Sequence, residues 1–284
     1  SLVEAVEHAK PGDTISISGA HTGQMVIART LPGLVVVGAS GASISAGKGP
    51  AVLCSATGVQ ISGLLLAAKE GEACVSVPGG GSLTLVSCEV RCSAANGVQV
   101  QGECTLESCK VLECGAYGVV ALAGGLVRTK GTTVAQNVKT GALSRGKGSR
   151  LLLDVGTVIE RNQMHGVGGD QGGCVTAISV TVRNNSLLGF NLGDGGSGLL
   201  RECTIHANGM HGIQCTGGEL LLTNSVVTSS SKLGIFVNPP PAPPGPKSVE
   251  DEQQRAHVTL DQVEVTGSGM FGVHITGGVV EARQ

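Results

Sequence analysis

Aromatic residues are nearly missing from this sequence: 284 residues include no tryptophan, one tyrosine and three phenylalanines. A core for a chain of this length must therefore come from Val, Leu, Ile, Ala and Cys. The same shortage argues against a long cleft in which sugars or unstacked bases rest on aromatic faces. Charge is scarce as well. Charged residues make up 14% of the chain and the net charge is −2, which excludes a general electrostatic grip on nucleic acid or an anionic membrane. No apolar run approaches the roughly 20 residues that a membrane-spanning helix requires. A hydrophobic content of 41% excludes a disordered tail. No signal peptide is visible, although a chain opening on Ser1 carries little information on that point.

Glycine is abundant, at 46 residues, without the three-residue period of collagen. A glycine-rich, β-branched chain points to many short strands joined by tight turns. Those turns recur. The segments "SAANGVQV", "CGAYGVVA", "NVKTGALS", "NQMHGVGG", "NSLLGFNL", "NGMHGIQC", "SSKLGIFV" and "SGMFGVHI" align on Gly97, Gly118, Gly141, Gly166, Gly189, Gly212, Gly234 and Gly272. The spacings are 21, 23, 25, 23, 23, 22 and 38 residues. Seven residues before each glycine stands a β-branched aliphatic: Val90, Val111, Val134, Ile159, Val182, Ile205, Val227 and Val265. One residue after it the side chain is always apolar. Four before it, Asn137, Asn162, Asn185 and Asn208 form a polar column, replaced by Ser93, Cys114, Ser230 and Ser268 in the other repeats.

A repeat of about 23 residues is too short for a pair of helices and suits two or three strands with their turns. Stacked coils place equivalent residues about 4.8 Å apart, with each strand pairing in parallel with the next coil. The aliphatic columns become interior ladders, and the asparagines a turn ladder in which each amide bonds its neighbours. The anchoring glycine is expected to supply a backbone conformation closed to residues with a Cβ. At the start, "SLVEAVEHAKPGDTISI" places Leu2, Val3, Val6 and Ala9 on one face of a short helix over residues 1–10 that plugs the open end of the stack. The closing "GGVVEARQ" reads as another coil beginning, so the chain is expected to be a segment of a longer protein. The spacing of 38 contains an insertion, "NPPPAPPGPKSVEDEQQRAH", whose Pro-rich and then charged part at 239–256 is read as a protruding loop.

The opening helix with its Pro-Gly-Asp-Thr turn, and the repeats with Asn four before Gly, resemble the right-handed parallel β-helix superfamily. The likeness is strongest to its short-repeat branch of carbohydrate-binding proteins and sugar hydrolases, which includes NosD-like proteins and the non-catalytic β-helices of F-box proteins. The resemblance covers nearly the whole chain. It implies an all-β, single right-handed parallel β-helix of about ten to eleven coils over 1–284.

Residues that could carry chemistry are few. His165 and His211 precede anchoring glycines, in a slot that elsewhere holds Asn96, Tyr117, Thr140, Leu188, Leu233 and Phe271, so they read as surface or turn residues. Asp170 and Asp194 lie four and five residues beyond their glycines on adjacent coils, within reach of both histidines. Sugar hydrolysis needs two converging carboxylates, whereas lyases and epimerases need a base and a cation to neutralise the sugar carboxylate. The motifs that the superfamily's glycosidases, pectate lyases and alginate epimerases carry are not found. Of the ten cysteines, Cys88, Cys109, Cys203 and Cys215 fall on inward positions and act as small hydrophobes. Free buried thiols point to a reducing, cytoplasmic compartment. No cofactor or metal site is expected.

The sequence therefore leads to an expectation of a non-catalytic interaction module. A protein partner would be met through Pro239, Pro240, Pro241 and Lys247 of the loop and the basic residues Arg145, Lys147 and Arg150. The alternatives are a carbohydrate-active lyase, hydrolase or epimerase acting on an acidic glycan through Asp170, Asp194, His165 and His211, and a structural component of a filament.

Overall fold

In the computed structural model, which describes residues 2–239 and 256–283, the chain is an all-β parallel solenoid of about 11 turns. Each coil contributes one strand to each of three sheets. Among the described residues these hold 12, 11 and 11 strands, and every pairing is parallel and to the next coil. The first sheet runs from Thr14–Ile17 to Val279–Arg283, the second from Ala20–Thr22 to Glu264–Thr266, and the third from Met25–Ile27 to Phe271–Ile275.

The interior is a set of aliphatic ladders. Val90, Val111, Val134, Ile159, Val182, Ile205 and Val227 stack in register and are fully buried. Phe190 is the one aromatic side chain of the core. The cap helix forms over Leu2–His8, and Leu2 and Val6 close the stack against Met25–Ile27. Val3, expected on the same face, points outward and is 54% exposed. The helix ends where the Lys10 N–H is taken by the Asp13 carboxylate (2.8 Å) and Gly12 turns left-handed at φ 80°.

The asparagine ladder is buried. Nδ2 of Asn137, Asn162 and Asn185 donates to Oδ1 of the asparagine one coil on, at 2.8, 2.9 and 3.1 Å. Each of those oxygens also accepts the backbone N–H of the preceding asparagine, at 3.1 Å. Nδ2 of Asn162, Asn185 and Asn208 additionally reaches the carbonyls of Val134, Ile159 and Val182. Backbone bonds carry the same column back through Cys114, Cys92, Ala68 and Ala46. Cys92 therefore fills the position expected for Ser93, which is exposed. The one-residue slip has a cause. From Glu113 onward the residue before the ladder adopts a left-handed conformation: Glu113 at φ 55°, Gln136 at 59°, Arg161 at 54°, Asn184 at 56° and Ala207 at 54°. The coil of Cys92 runs straight into the turn without that extra residue.

The role expected of the anchoring glycines is also corrected. Gly118, Gly141, Gly166, Gly189 and Gly212 do not occupy the left-handed region, which the residue before the asparagine takes instead. They are required by close approach. A Cβ on Gly118 would lie 2.5 Å from Val134 Cγ1, 2.6 Å from the Gly141 carbonyl and 2.7 Å from Asn137 Nδ2.

Replacing Asn162 by Ala removes the acceptor of both the Asn137 amide and the Asn137 backbone N–H. Two buried donors left unpaired cost about 2–4 kcal/mol, read as a lowered denaturant midpoint. Asn191→Ala, at a half-buried position outside the ladder, shifts stability by less than about 0.5 kcal/mol.

Candidate functional site

Alternation along each strand sends every second side chain of the third sheet outward. The central outward column reads Gln99, Val120, Leu143, Gly168, Asn191, Gln214, Phe236 and His274, in continuous register. The slot before each anchoring glycine flanks this column on one side. Strand-end residues such as Arg145 and Asp170 flank it on the other. Ring contacts tie the flanks to the face: Arg145 Cζ lies 5.8 Å from the Tyr117 ring centroid, and the His211 and Phe236 rings are 5.2 Å apart. All tyrosine and phenylalanine outside the core, Tyr117, Phe236 and Phe271, therefore lies on this one face, together with His165, His211 and His274.

The face holds two clusters. In the first, Arg145 Nε lies 3.0 and 3.2 Å from the two Asp170 oxygens and Nη2 lies 2.9 Å from Oδ2. The fork is bidentate and about two-thirds shielded, and the Asp170 carboxylate beside it raises the Arg145 pKa further. Lys139 Nζ sits 5.3 Å over the same Tyr117 ring and has no acidic partner among the described residues. One coil beyond Thr140 is His165, half-buried, with no partner for Nδ1; burial lowers its pKa. In the second cluster, Phe236 packs against His211 and His274, and Phe271 stacks on His274 at 5.5 Å and 22°. His211 is 7% exposed and its Nδ1 is also unpaired. Burial lowers its pKa, helped by the nearby Lys232 and His274 charges.

The four-residue constellation of Asp170, Asp194, His165 and His211 does not assemble. Asp170 is engaged by Arg145. Asp194 falls one residue past the strand end, at φ 47°, above Gly172. Both aspartates lie at the opposite end of their strands from the histidines, which precede them. The histidines are not surface residues of a plain turn: their slot overlooks the third sheet, and His211 is covered. The basic residues do not share a face either. Arg145 belongs to the third sheet, Lys147 to the following turn, and Arg150 opens Arg150–Leu153 of the first sheet. Pro239 is exposed just after Leu233–Asn238, while Pro240, Pro241 and Lys247 lie outside the described residues.

Sequence reasoning gave no role to Tyr117, Phe236, Phe271 and His274, while Lys139 belongs to the same basic stretch as Arg145. The signal was present: Tyr117 and Phe271 share the slot before the glycine, and Phe236 and His274 both stand two after it. The cysteines are all free, and all except Cys174 are buried. Burial drives the thiol pKa of Cys54 and Cys215 up to about 11. No group of His, Cys, Asp and Glu among the described residues is arranged to hold a metal ion.

A family model described as "Right handed beta helix region" matches residues 73–239. Comparison with curated protein sequences gives no match. Among solved structures, the A-module of the Azotobacter vinelandii mannuronan C-5 epimerase AlgE6 aligns with a TM-score of 0.70 at 13% identity, covering 99% of this chain and 90% of that one. A mannuronic acid specific polysaccharide family 6 lyase from human gut microbiota aligns at 0.66 and 12% identity, over 97% and 79%. The pectate lyase Pel9A aligns at 0.53 and 14% identity, over 87% and 70%. These likenesses establish the shared fold. They also correct the expectation of a non-catalytic interaction module, since the similar structures are polysaccharide epimerases and lyases. Aromatic side chains are few, but those outside the core, Tyr117, Phe236 and Phe271, are concentrated on one face.

Because burial favours neutral His165 and His211, their folded pKa values lie below the ordinary 6.5. As pH falls through 6.5 the unfolded chain takes up protons that the fold resists, so stability is full above that value and declines below it. Urea titrations between pH 7 and pH 5 should show this decline, and a His165→Asn/His211→Asn variant should flatten it.

Proposed function

The chain belongs to the right-handed β-helix family, and from that premise we propose that it is a carbohydrate-active enzyme whose substrate is an acidic polysaccharide lying along the outer face of the third sheet. The observation that carries this reading is the cluster of Tyr117, Lys139 and Arg145, with Asp170 holding the guanidinium in place. A fixed arginine and an uncommitted lysine over one phenol ring form a site for a carboxylate attached to a ring with an apolar face. Coils advance by about 4.8 Å, so the face presents a straight lane to an extended polymer. The similarity to epimerases and lyases of uronate polymers supports the same assignment.

The chemistry that fits is removal of a proton beside the sugar carboxylate. That step needs the carboxylate neutralised by a cation and a base that is neutral at working pH. Lys139 and Arg145 supply the cation. His165 supplies the base, because burial keeps its imidazole unprotonated. Tyr117 carries the cluster's hydroxyl and serves as the proton donor. Hydrolysis fits less well, since it requires two carboxyl groups separated by about 5–9.5 Å and Asp170 is already committed to Arg145.

The test is turnover of a panel of polyuronates and neutral polysaccharides, followed by ultraviolet absorbance for an unsaturated product and by NMR for inversion at the carbon bearing the carboxylate. Polyuronates should react and neutral polymers should not. His165→Gln should lower kcat by about 100-fold or more with KM preserved. Lys139→Ala and Arg145→Ala should each lower kcat/KM at least tenfold. A chain that neither binds nor converts any acidic polysaccharide would overturn the reading.

A further inference from the structure

We infer that the outer face of the first sheet is a contact between two copies of this chain, paired about a two-fold axis that runs along the strand Cys174–Ile178. The inference does not depend on the proposed reaction, whose site lies on the third sheet. Alternation gives the first sheet a central outward column that runs in continuous register from Thr105 through Leu152, Thr176, Leu199 and Leu221 to Thr259. Leu199 and Leu221 are 42% and 39% exposed although further coils follow both, so the end of the chain does not bare them. Cys174, which opens the middle strand, is the one cysteine that is not buried. Two shallow hollows of similar size flank that strand. One, of about 290 Å³, spans Thr105 to Ile178 and contains Leu152. The other, of about 320 Å³, spans Cys174 to Thr259 and is lined by Ser197, Leu199, Glu219 and Leu221.

A two-fold axis lying in this face along the middle strand makes the second stack run the opposite way. Thr176 then meets Thr176 and Cys174 meets Cys174, and each coil before the middle strand meets the coil equally far after it. The two halves of the face are matched under that operation. Leu152 meets Leu199 of the second copy, apolar on apolar. Asp154, just past Arg150–Leu153, meets Arg201 of the second copy. Arg150 meets Ser197 of the second copy, and the hollow there brings it beside Glu219. Within one chain Arg150, Asp154 and Glu219 have no ion-pair partner among the described residues, and Arg201 reaches only Glu202, at 3.6 Å between two half-exposed side chains. Glu103 meets His257. Like charges meet where Glu107 faces Asp261, at the rim beside Lys130. Seven strands at about 4.8 Å and five residues at about 3.3 Å give a footprint of about 34 by 16 Å, or about 1,100 Å² over both copies, just above the roughly 1,000 Å² that a specific interface needs. Two such faces pack about 10 Å apart.

The experiment measures self-association of the 284-residue chain by analytical ultracentrifugation under reducing conditions. The unmodified chain should form a dimer whose share rises with concentration. Thr176→Arg, which sets two guanidinium groups against each other on the axis, should weaken association at least tenfold while circular dichroism stays unchanged, because Thr176 already points outward. Leu199→Glu, at an exposed side chain, gives the same readout if Thr176→Arg does not fold. Asp154→Arg and Arg201→Asp should each weaken the dimer, and the two together should restore it, since the pair forms between copies. A short bifunctional thiol reagent should join two chains through Cys174, and Cys174→Ser should abolish that product. A chain that stays monomeric overturns the inference. A dimer that ignores Thr176→Arg and is not joined through Cys174 does so as well. A monomer whose Cys174 resists a monofunctional thiol reagent has some other occupant on this face and overturns it equally.

Discussion

Every coil of this chain lies directly over the next, about 4.8 Å away and in parallel, so each side chain meets its own equivalent above and below. This self-contact decides which residues the interior tolerates. Valine on valine packs without voids. A buried polar group can bond a nearby carbonyl, as Thr132 does Leu106 and Ser225 does Thr223, or it can bond a copy of itself, which requires donor and acceptor on the same side chain. Asparagine meets that condition, and the run from Asn137 to Asn208 satisfies amide and backbone together. A threonine pair outside this equivalence, Thr129 and Thr157, shares a hydroxyl bond at 3.0 Å. The anchoring glycines follow from the same constraint, since a Cβ would enter the valine or isoleucine of the neighbouring coil.

Outward columns obey the same geometry without the same selection. The outward position of the third sheet is not held to one side-chain type: it takes Val120, Leu143 and Gly168, which are buried, and then Asn191, Gln214 and Phe236, which are half-buried. What the fold contributes there is alignment. Side chains in equivalent outward positions fall on straight lines at constant spacing.

This division sets how much could be read from the sequence. Interior ladders repeat because each coil constrains the next, so the aliphatic columns, the asparagines and the solenoid itself were legible from spacing alone. Two details were not. The left-handed residue that shifts Cys92 into the ladder depends on one inserted residue per turn, which an alignment anchored on glycine hides. Val3 faces solvent because a helix of seven residues buries only a narrow stripe on the end of the stack. The site was less legible still. A count of aromatics carries no position, so the grouping of Tyr117, Phe236 and Phe271 on one face went unread, and the slot of His165 and His211 looked arbitrary because it holds Asn, Tyr, Thr, Leu and Phe in other coils.

The geometry also limits which residues can act together. A pocket formed by converging loops can gather groups from distant parts of a chain, but a solenoid face assembles reacting groups from coils within about 10 Å of one another along the axis. His211 stands two coils beyond His165, and Phe236 lies further along the third sheet, so neither reaches Lys139 and Arg145. Asp194 is excluded by register instead, one residue beyond the strand end. The side chains tied together by contact are Tyr117, Lys139, Arg145 and Asp170, with His165 one coil beyond Thr140 at the other end of the strand from Asp170. Among them, Asp170 cannot serve as an acid while both of its oxygens face the guanidinium, because protonating it would break the fork that fixes Arg145. Its part is to position the arginine, and in the proposed reaction proton transfer falls to His165 and Tyr117.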